Sequence, residues 1–273
     1  MTAEDMDPNS KTMLTLAYYQ QDICWENPEA NYAKVAAAFD TAIRTAATAP
    51  DVLVVPETFN TGFGDNMAAL AEEPHGTTWR FVAETARRHD ALFVGTWTVR
   101  EQGRVYNRLH WVRPDGSGGW YDKGHTFRMS SEASQVARGT SKEVFEWRGW
   151  RIRPAVCYDL RFPKWLRNTW NGHRLDYDLM LVCANWPGSR YEAWSTLLKA
   201  RAIENEAYVA GVNRCGTDST GIPYTGDSCV VDYKGHLLSQ CAHEKEEVRF
   251  AVLDFAKQQA FREHWTFYLD ADE

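Results

Sequence analysis

Three side chains capable of chemistry stand where an apolar run gives way to a loop. Glu57 follows Asp51-Val-Leu-Val-Val55-Pro56 directly. A carboxylate at the end of a doubly buried strand is poorly solvated, and desolvation raises its pKa toward that of a base usable near neutrality. The ordinary alternative is a Glu that caps the next segment or pairs with an arginine. Lys123, in Trp120-Tyr-Asp-Lys-Gly-His125, offers a compact charge with three donors, which suits an oxyanion. Most lysines simply point into water. Cys157 lies in Arg153-Pro-Ala-Val-Cys-Tyr-Asp-Leu-Arg-Phe-Pro163, after an apolar strand and before a helix start at Pro163. Such a strand-to-turn junction presents a nucleophile, and its backbone N–H groups lower a thiol pKa and hold an oxyanion. A lone cysteine otherwise behaves as a small hydrophobe.

Positioning these groups takes alternating strands and helices. Residues 14–18 read as a first strand. Asn27 ahead of Pro28 is a cap followed by Pro at the first helical position. Tyr32, Val35, Ala36, Phe39, Ala42, Ile43 and Ala46 then recur at helical spacing, predicting a helix to about Ala49. Residues 51–55 form a buried strand and residues 76–89 a second helix. Strands at 91–99 and 105–112 flank the hairpin turn Glu101-Gln-Gly-Arg104, and another begins at Trp120 after the turn cluster 114–119. The second half continues with a hairpin, 144–147 and 150–156, and a buried strand at 179–184. A helix at 191–206 follows, with Ser189 as its cap and Trp194, Leu197, Leu198 and Ala202 on one face. Strands at 208–213, 228–232 and 247–253 and a short helix at 255–264 complete the chain. No Pro/Gly/Ser linker interrupts this alternation. It predicts one α/β domain of layered sheets over residues 12–273, after a loose polar tail of residues 1–11.

Composition narrows the function. Of 273 residues, 44% are hydrophobic and 25% charged, globular values that exclude disorder as the main state. Thirty Lys and Arg against 37 Asp and Glu give a net charge of −7, which argues against a general nucleic-acid or anionic-membrane binder. No apolar run approaches the roughly 18 residues of a membrane span. The polar N-terminal stretch lacks the basic start and apolar centre of a secretory signal, so a cytoplasmic location is expected. Cys24, Cys157, Cys183, Cys215, Cys229 and Cys241 contain no C-x-x-C, and the eight His residues form no H-E-x-x-H or H-x-H cluster. Neither a disulfide framework nor a metal or other cofactor is expected. Twelve Trp residues are a high count: most are expected in the core, and a few to wall a pocket around a small polar ligand.

Five segments occur in a telling order: Pro56-Glu-Thr-Phe59 with Gly62-Phe63, Tyr121-Asp-Lys-Gly-His125, Cys157-Tyr-Asp-Leu-Arg-Phe-Pro163, Ala184-Asn-Trp-Pro187 and Ala200-Arg-Ala-Ile-Glu-Asn205. Together they resemble the carbon–nitrogen hydrolase (nitrilase) superfamily, over about Leu14 to Leu253. Within it the chain looks closest to bacterial omega-amidases, which cleave the terminal amide of 2-oxo-acid amides. The resemblance implies a four-layer α-β-β-α sandwich, with two sandwiches joined through their helical faces as a homodimer or larger homo-oligomer.

It also implies roles. Glu57 is the base, Cys157 attacks the amide carbon to form a thioester, and Lys123 with the Tyr158 N–H holds the oxyanion. Glu132, in Phe127-Arg-Met-Ser-Ser-Glu132, is the family's second carboxylate; its alternative is a solvated loop residue. Arg161 is similar to a substrate-carboxylate anchor, for which a two-pronged guanidinium is suited; its alternative is an ion pair with Asp159. Trp186, Tyr158 and Arg128 are further residues expected to face a small amide substrate. N-carbamoyl amide and nitrile hydrolysis use the same triad and stay open. A thiol redox sensor, with Cys183 or Cys215 as partner to Cys157, is the alternative of another class.

Overall fold

Side-chain alternation in the computed structural model, which describes residues 12–271, sorts each buried strand between two cores. The first sheet takes its strands from β1 (Met13–Gln20), β2 (Val52–Val54), β3 (Leu92–Glu101), β4 (Arg104–Val112) and β5 (Gly118–Asp122). Helix α1 (Pro28–Thr45) joins β1 to β2, and α2 (Thr77–His89) joins β2 to β3. The short α3 (Glu132–Gln135) leads to the second sheet. That half contains β6 (Phe145–Trp147), β7 (Trp150–Val156), α4 (Pro163–Leu166), β8 (Leu179–Ala184), α5 (Tyr191–Asn205) and β9 (Tyr208–Asn213). A ribbon of β10 (Cys215–Thr217) and β11 (Pro223–Thr225) follows, then β12 (Cys229–Val231), β13 (Leu237–Gln240), β14 (Glu247–Asp254) and α6 (Phe255–His264). Strand orders are β14-β1-β2-β3-β4-β5 and β13-β12-β9-β8-β7-β6. The centres β1-β2-β3 and β7-β8-β9 are parallel, and the flanking pairs antiparallel.

Leu14, Leu16, Tyr18, Val52, Val54, Leu92 and Val94 meet Ile152, Val156, Leu179, Leu181 and Val212 in a core between the two sheets. Their alternates, Ala17, Leu53, Val55 and Phe93, pack under Tyr32, Val35 and Phe39 of α1 and Val82 and Ala86 of α2. On the other side Ala155, Met180, Val182 and Val209 pack under Trp194, Leu198 and Ala202 of α5. The result is the expected α-β-β-α sandwich, and it explains why β2 and β8 are apolar at every position. Gly211 lets α5 lie close on β9: a Cβ there meets Leu198 at 2.6 Å and Trp194 at 2.8 Å.

Several boundaries differ from expectation. Helix α1 begins as predicted, with Asn27 accepting the Ala30 N–H at 3.1 Å. It stops at Thr45 because Ala46 is already extended and Pro50 disfavours helical backbone before it. Ser189 is not the cap of α5. It lies inside a 3-10 turn, Gly188–Arg190, and Arg190 takes the cap position without a side-chain bond. The β10–β11 ribbon and β13 had no alternating apolar pattern to announce them. The expected tail, residues 1–11, lies outside the described residues. Among the described residues no helix is long and apolar enough to cross a membrane.

Candidate active site

Glu57, Cys157 and Asn185 follow β2, β7 and β8, so the carboxyl ends of parallel strands from both sheets converge, the usual place for chemistry in α/β folds. Lys123 arrives from β5. Its N–H bonds the Asn107 carbonyl at 3.0 Å and prolongs the β4–β5 ladder by one residue. That register directs Lys123 to the same side as Tyr121, into the space between the sheets. Cys157 begins a 3-10 turn, Cys157–Arg161, with φ of 42°. A side chain held in this left-handed region is strained, and its surroundings must fix it.

Glu57, Lys123 and Glu132 are fully buried and touch one another. The Lys123 ammonium lies 2.8 Å from Glu57 Oε1 and 2.9 Å from each oxygen of Glu132. Asn107 Nδ2 donates to both carboxylates, at 2.8 and 2.9 Å. The Asn185 N–H bonds Glu57 Oε2 at 2.9 Å, while the Asn185 carbonyl lies 3.7 Å from Cys157 Sγ. One residue therefore touches the Glu57 carboxylate with its N–H and the thiol with its C=O. The Asn185 amide also bonds the backbone carbonyl of Glu57. It fixes the loop after β2 to the end of β8.

The charges follow from this packing. Burial alone pulls Lys123 down, but Glu132 and Glu57 outweigh it and hold the ammonium above its ordinary pKa. Burial pushes Glu132 up against the pull of Lys123, and Glu57 adds to the rise. Burial also pushes the Cys157 thiol well above its ordinary value, with Glu57 adding and Lys123 opposing. Turn N–H groups were expected to lower this thiol. Here burial and the Glu57 carboxylate raise it instead. No group of three or more His, Cys, Asp or Glu side chains among the described residues is placed to hold a metal ion. Between Glu57 and Glu132, where a cation would sit, stands the Lys123 ammonium.

Above this cluster opens a cavity of about 500 Å³ whose wall includes Lys123, Cys157, Tyr158, Arg161, Asn185 and Trp186. The structure thus brings together every expected residue except Arg128, which is exposed and off the cavity wall while its neighbours Phe127 and Met129 line it. Arg161 does not pair with Asp159, whose carboxylate is taken by other donors. Its guanidinium lies 4.8 Å over the Trp186 ring. Arg190, which sequence reasoning missed, also lines the cavity, 5.5 Å over Phe127. Neither arginine has a carboxylate within ion-pair distance among the described residues, whereas the wall's Asp218 is satisfied by Thr220, Ile222 and Tyr224. Asn107 and Asn185 were also missed. Asn185 sat in a quoted motif at the end of a buried strand, which was the available signal; Asn107 and Arg190 had none. All six cysteines are free thiols.

Comparisons with known proteins agree with this arrangement. The model of the carbon-nitrogen hydrolase family matches residues 15–263. The chain is 41% identical over 260 residues to the omega-amidase YafV of Yersinia enterocolitica, covering 95% of this chain and 97% of that one. It is 31% identical over 253 residues to the 2-oxoglutaramate amidase of Bacillus subtilis, covering 91% and 94%. The crystal structure of XC1258 from Xanthomonas campestris, a CN-hydrolase superfamily protein with an arsenic adduct in its active site, superposes with a TM-score of 0.90. It is 38% identical, over 96% of this chain and 98% of that one.

Proposed function

The chain belongs to the carbon–nitrogen hydrolase family and is a hydrolase of amides, and from that premise we propose that it removes the terminal amide of a small omega-amido 2-oxo acid through a thioester on Cys157. The observation that carries this reading is the buried Glu57–Lys123–Glu132 cluster, joined to the Cys157 thiol through Asn185. A base, a fixed cation and a thiol at one end of a cavity are what acyl transfer from nitrogen to sulfur requires.

In this reading Glu57 takes the thiol proton as sulfur adds to the amide carbon. Because the thiol rests neutral, proton removal and attack belong to one event. Lys123 Nζ and the Tyr158 N–H face the oxyanion. Glu57 returns the proton to nitrogen, the C–N bond breaks and ammonia leaves, with the acyl group on sulfur. Glu57 then takes a proton from water as the hydroxyl adds. The C–S bond breaks, the proton returns to sulfur and the dicarboxylate departs. Glu132 holds Lys123 charged and in place. The reading carries with it a cytoplasmic homodimer.

The far end of the substrate is assigned to Arg161, a guanidinium on the cavity wall with no carboxylate partner among the described residues, and Arg190 lines the same wall. The names of the relatives, omega-amidase and 2-oxoglutaramate amidase, support an anionic omega-amide. Ammonia release from 2-oxoglutaramate, succinamate, an N-carbamoyl amino acid and a simple nitrile tests the assignment. The omega-amides are expected to lead; release led by the nitrile or carbamoyl compound would replace it. Arg161→Lys keeps the charge and loses the fork. A charge-assisted contact of this kind contributes about 1.5–3 kcal/mol, or roughly 10–100-fold in binding. KM for the carboxylate-bearing amide should rise within that range with kcat nearly unchanged, because the anchor acts in ground and transition states alike. A neutral amide of similar length should be unaffected. Equal losses on both would make Arg161 structural.

A further inference from the structure

Asp159 is fully buried, ionisable and unused by the steps above. It sits on the nucleophile's own turn, two residues after Cys157. Its Oδ2 accepts the Val156 N–H at 3.0 Å and the Tyr121 hydroxyl at 2.8 Å. Its Oδ1 accepts the His125 N–H at 2.9 Å and faces His125 Nδ1 at 2.8 Å. A carboxylate only accepts, so Nδ1 carries the proton. Val156 immediately precedes Cys157, and Tyr121 and His125 flank Lys123. One side chain therefore fastens the strained turn bearing the thiol to the residues two positions to either side of the one bearing the ammonium.

The rest of the network stiffens the same junction. The Tyr121 oxygen accepts the Gly124 N–H at 3.0 Å and Trp165 Nε1 at 2.9 Å. The His125 ring stacks on Phe162 of the Cys157 turn, with centroids 3.8 Å apart and planes 12° from parallel. We propose that Asp159 is a positioning residue that sets Cys157 against Lys123, so that sulfur and ammonium meet the same carbonyl group. The proposal rests on the amidase reading for its consequence in turnover, and on the hydrogen bonds alone for its consequence at the thiol.

Asp159→Asn is the test, because an amide NH2 turned to either side meets a backbone N–H, that of Val156 or that of His125. Displacements of the order of 1 Å between reacting groups cost about a hundredfold. For an omega-amide, kcat should fall by about that factor while KM stays within about twofold. The second readout is alkylation of Cys157 by iodoacetamide, followed on the Cys157 peptide by mass spectrometry. A neutral thiol displaced from Glu57 loses the carboxylate that takes its proton as it is alkylated, and should alkylate about tenfold more slowly. A turn merely loosened would expose the sulfur and speed alkylation. Leu198→Ala, in the core under α5, serves as a destabilised control and should move neither readout per folded chain. A parental kcat in Asp159→Asn, or alkylation as fast as in the parent or faster, overturns the proposal. Should Asp159→Asn fail to fold, Tyr121→Phe removes one of the donors to Asp159, together with the oxygen that accepts from Gly124 and Trp165, and parental values of both readouts in that variant overturn it equally. A parent chain that hydrolyses none of the amides, with the alkylation difference intact, would remove the amidase reading and leave this one standing.

Discussion

Cys157→Ala is expected to give a folded protein that releases no measurable ammonia from any omega-amide. The thiol lies on the wall of a cavity, partly exposed, and packs against both the inter-sheet core and the core under α5. Removing one sulfur there should cost no more than roughly 1–3 kcal/mol, less than deleting a core Leu. The alanine meets the same left-handed backbone that the cysteine tolerates. In the proposed mechanism the change removes the atom that forms the new covalent bond. Losing a nucleophile from such a unit costs on the order of 10⁴–10⁶-fold. Thermal melting and ammonia release, measured on the same preparation, check both halves. A parental rate would show that Cys157 is not the nucleophile.

Lys123→Met is expected to abolish turnover too and, unlike the cysteine change, to destabilise the fold strongly at neutral pH. Lys123 is the cation between two buried carboxylates. Removing one partner of such a set leaves uncompensated charge, a loss of about 3–5 kcal/mol. The pH dependence fixes the interpretation. Burial already pushes Glu132 up, and without the Lys123 pull it rises further. A carboxylate whose folded pKa exceeds its unfolded one binds its proton more tightly when folded. The variant's stability should therefore fall as pH rises from about 4.3, the ordinary Glu value, through the raised one. The parent's Lys123 contribution has the same sign but a higher pH window. Its Lys123 pKa is raised by the carboxylates, so that contribution is present at neutral pH and is lost only above the ordinary lysine range. Melting temperatures of the two proteins should lie far apart at pH 7 and draw together toward about pH 4. A gap independent of pH would mean that Lys123 is a packing residue.

The buried strands were readable because both faces of β2 and β8 meet apolar layers, so Val52–Val54 and Leu179–Ala184 carry no polar residue. The same logic made Glu57 conspicuous, as a charge placed directly after such a run. Lys123 and Cys157 gained meaning from their order with it. What escaped were residues whose role depends on contacts distant in sequence. Asn107 sits 50 positions from Glu57 and 25 from Glu132 yet bonds both. Asn185 reaches Glu57 across 128 positions. Arg128 was expected to face the substrate, but the loop turns Phe127 and Met129 to the cavity instead. The thiol's resting state also escaped. It is set by burial and by Glu57, which arrives from the opposite sheet, and a local turn motif carries neither.

The most direct test of the central claim is the intact mass of the enzyme quenched in acid within the first turnovers of an omega-amide. The account predicts one added acyl group per chain, mapped to the Cys157 peptide and formed with one equivalent of ammonia. It also predicts no adduct in Cys157→Ala. Ammonia released by an enzyme that never carries the acyl mass, or an adduct mapped to another residue, would contradict it.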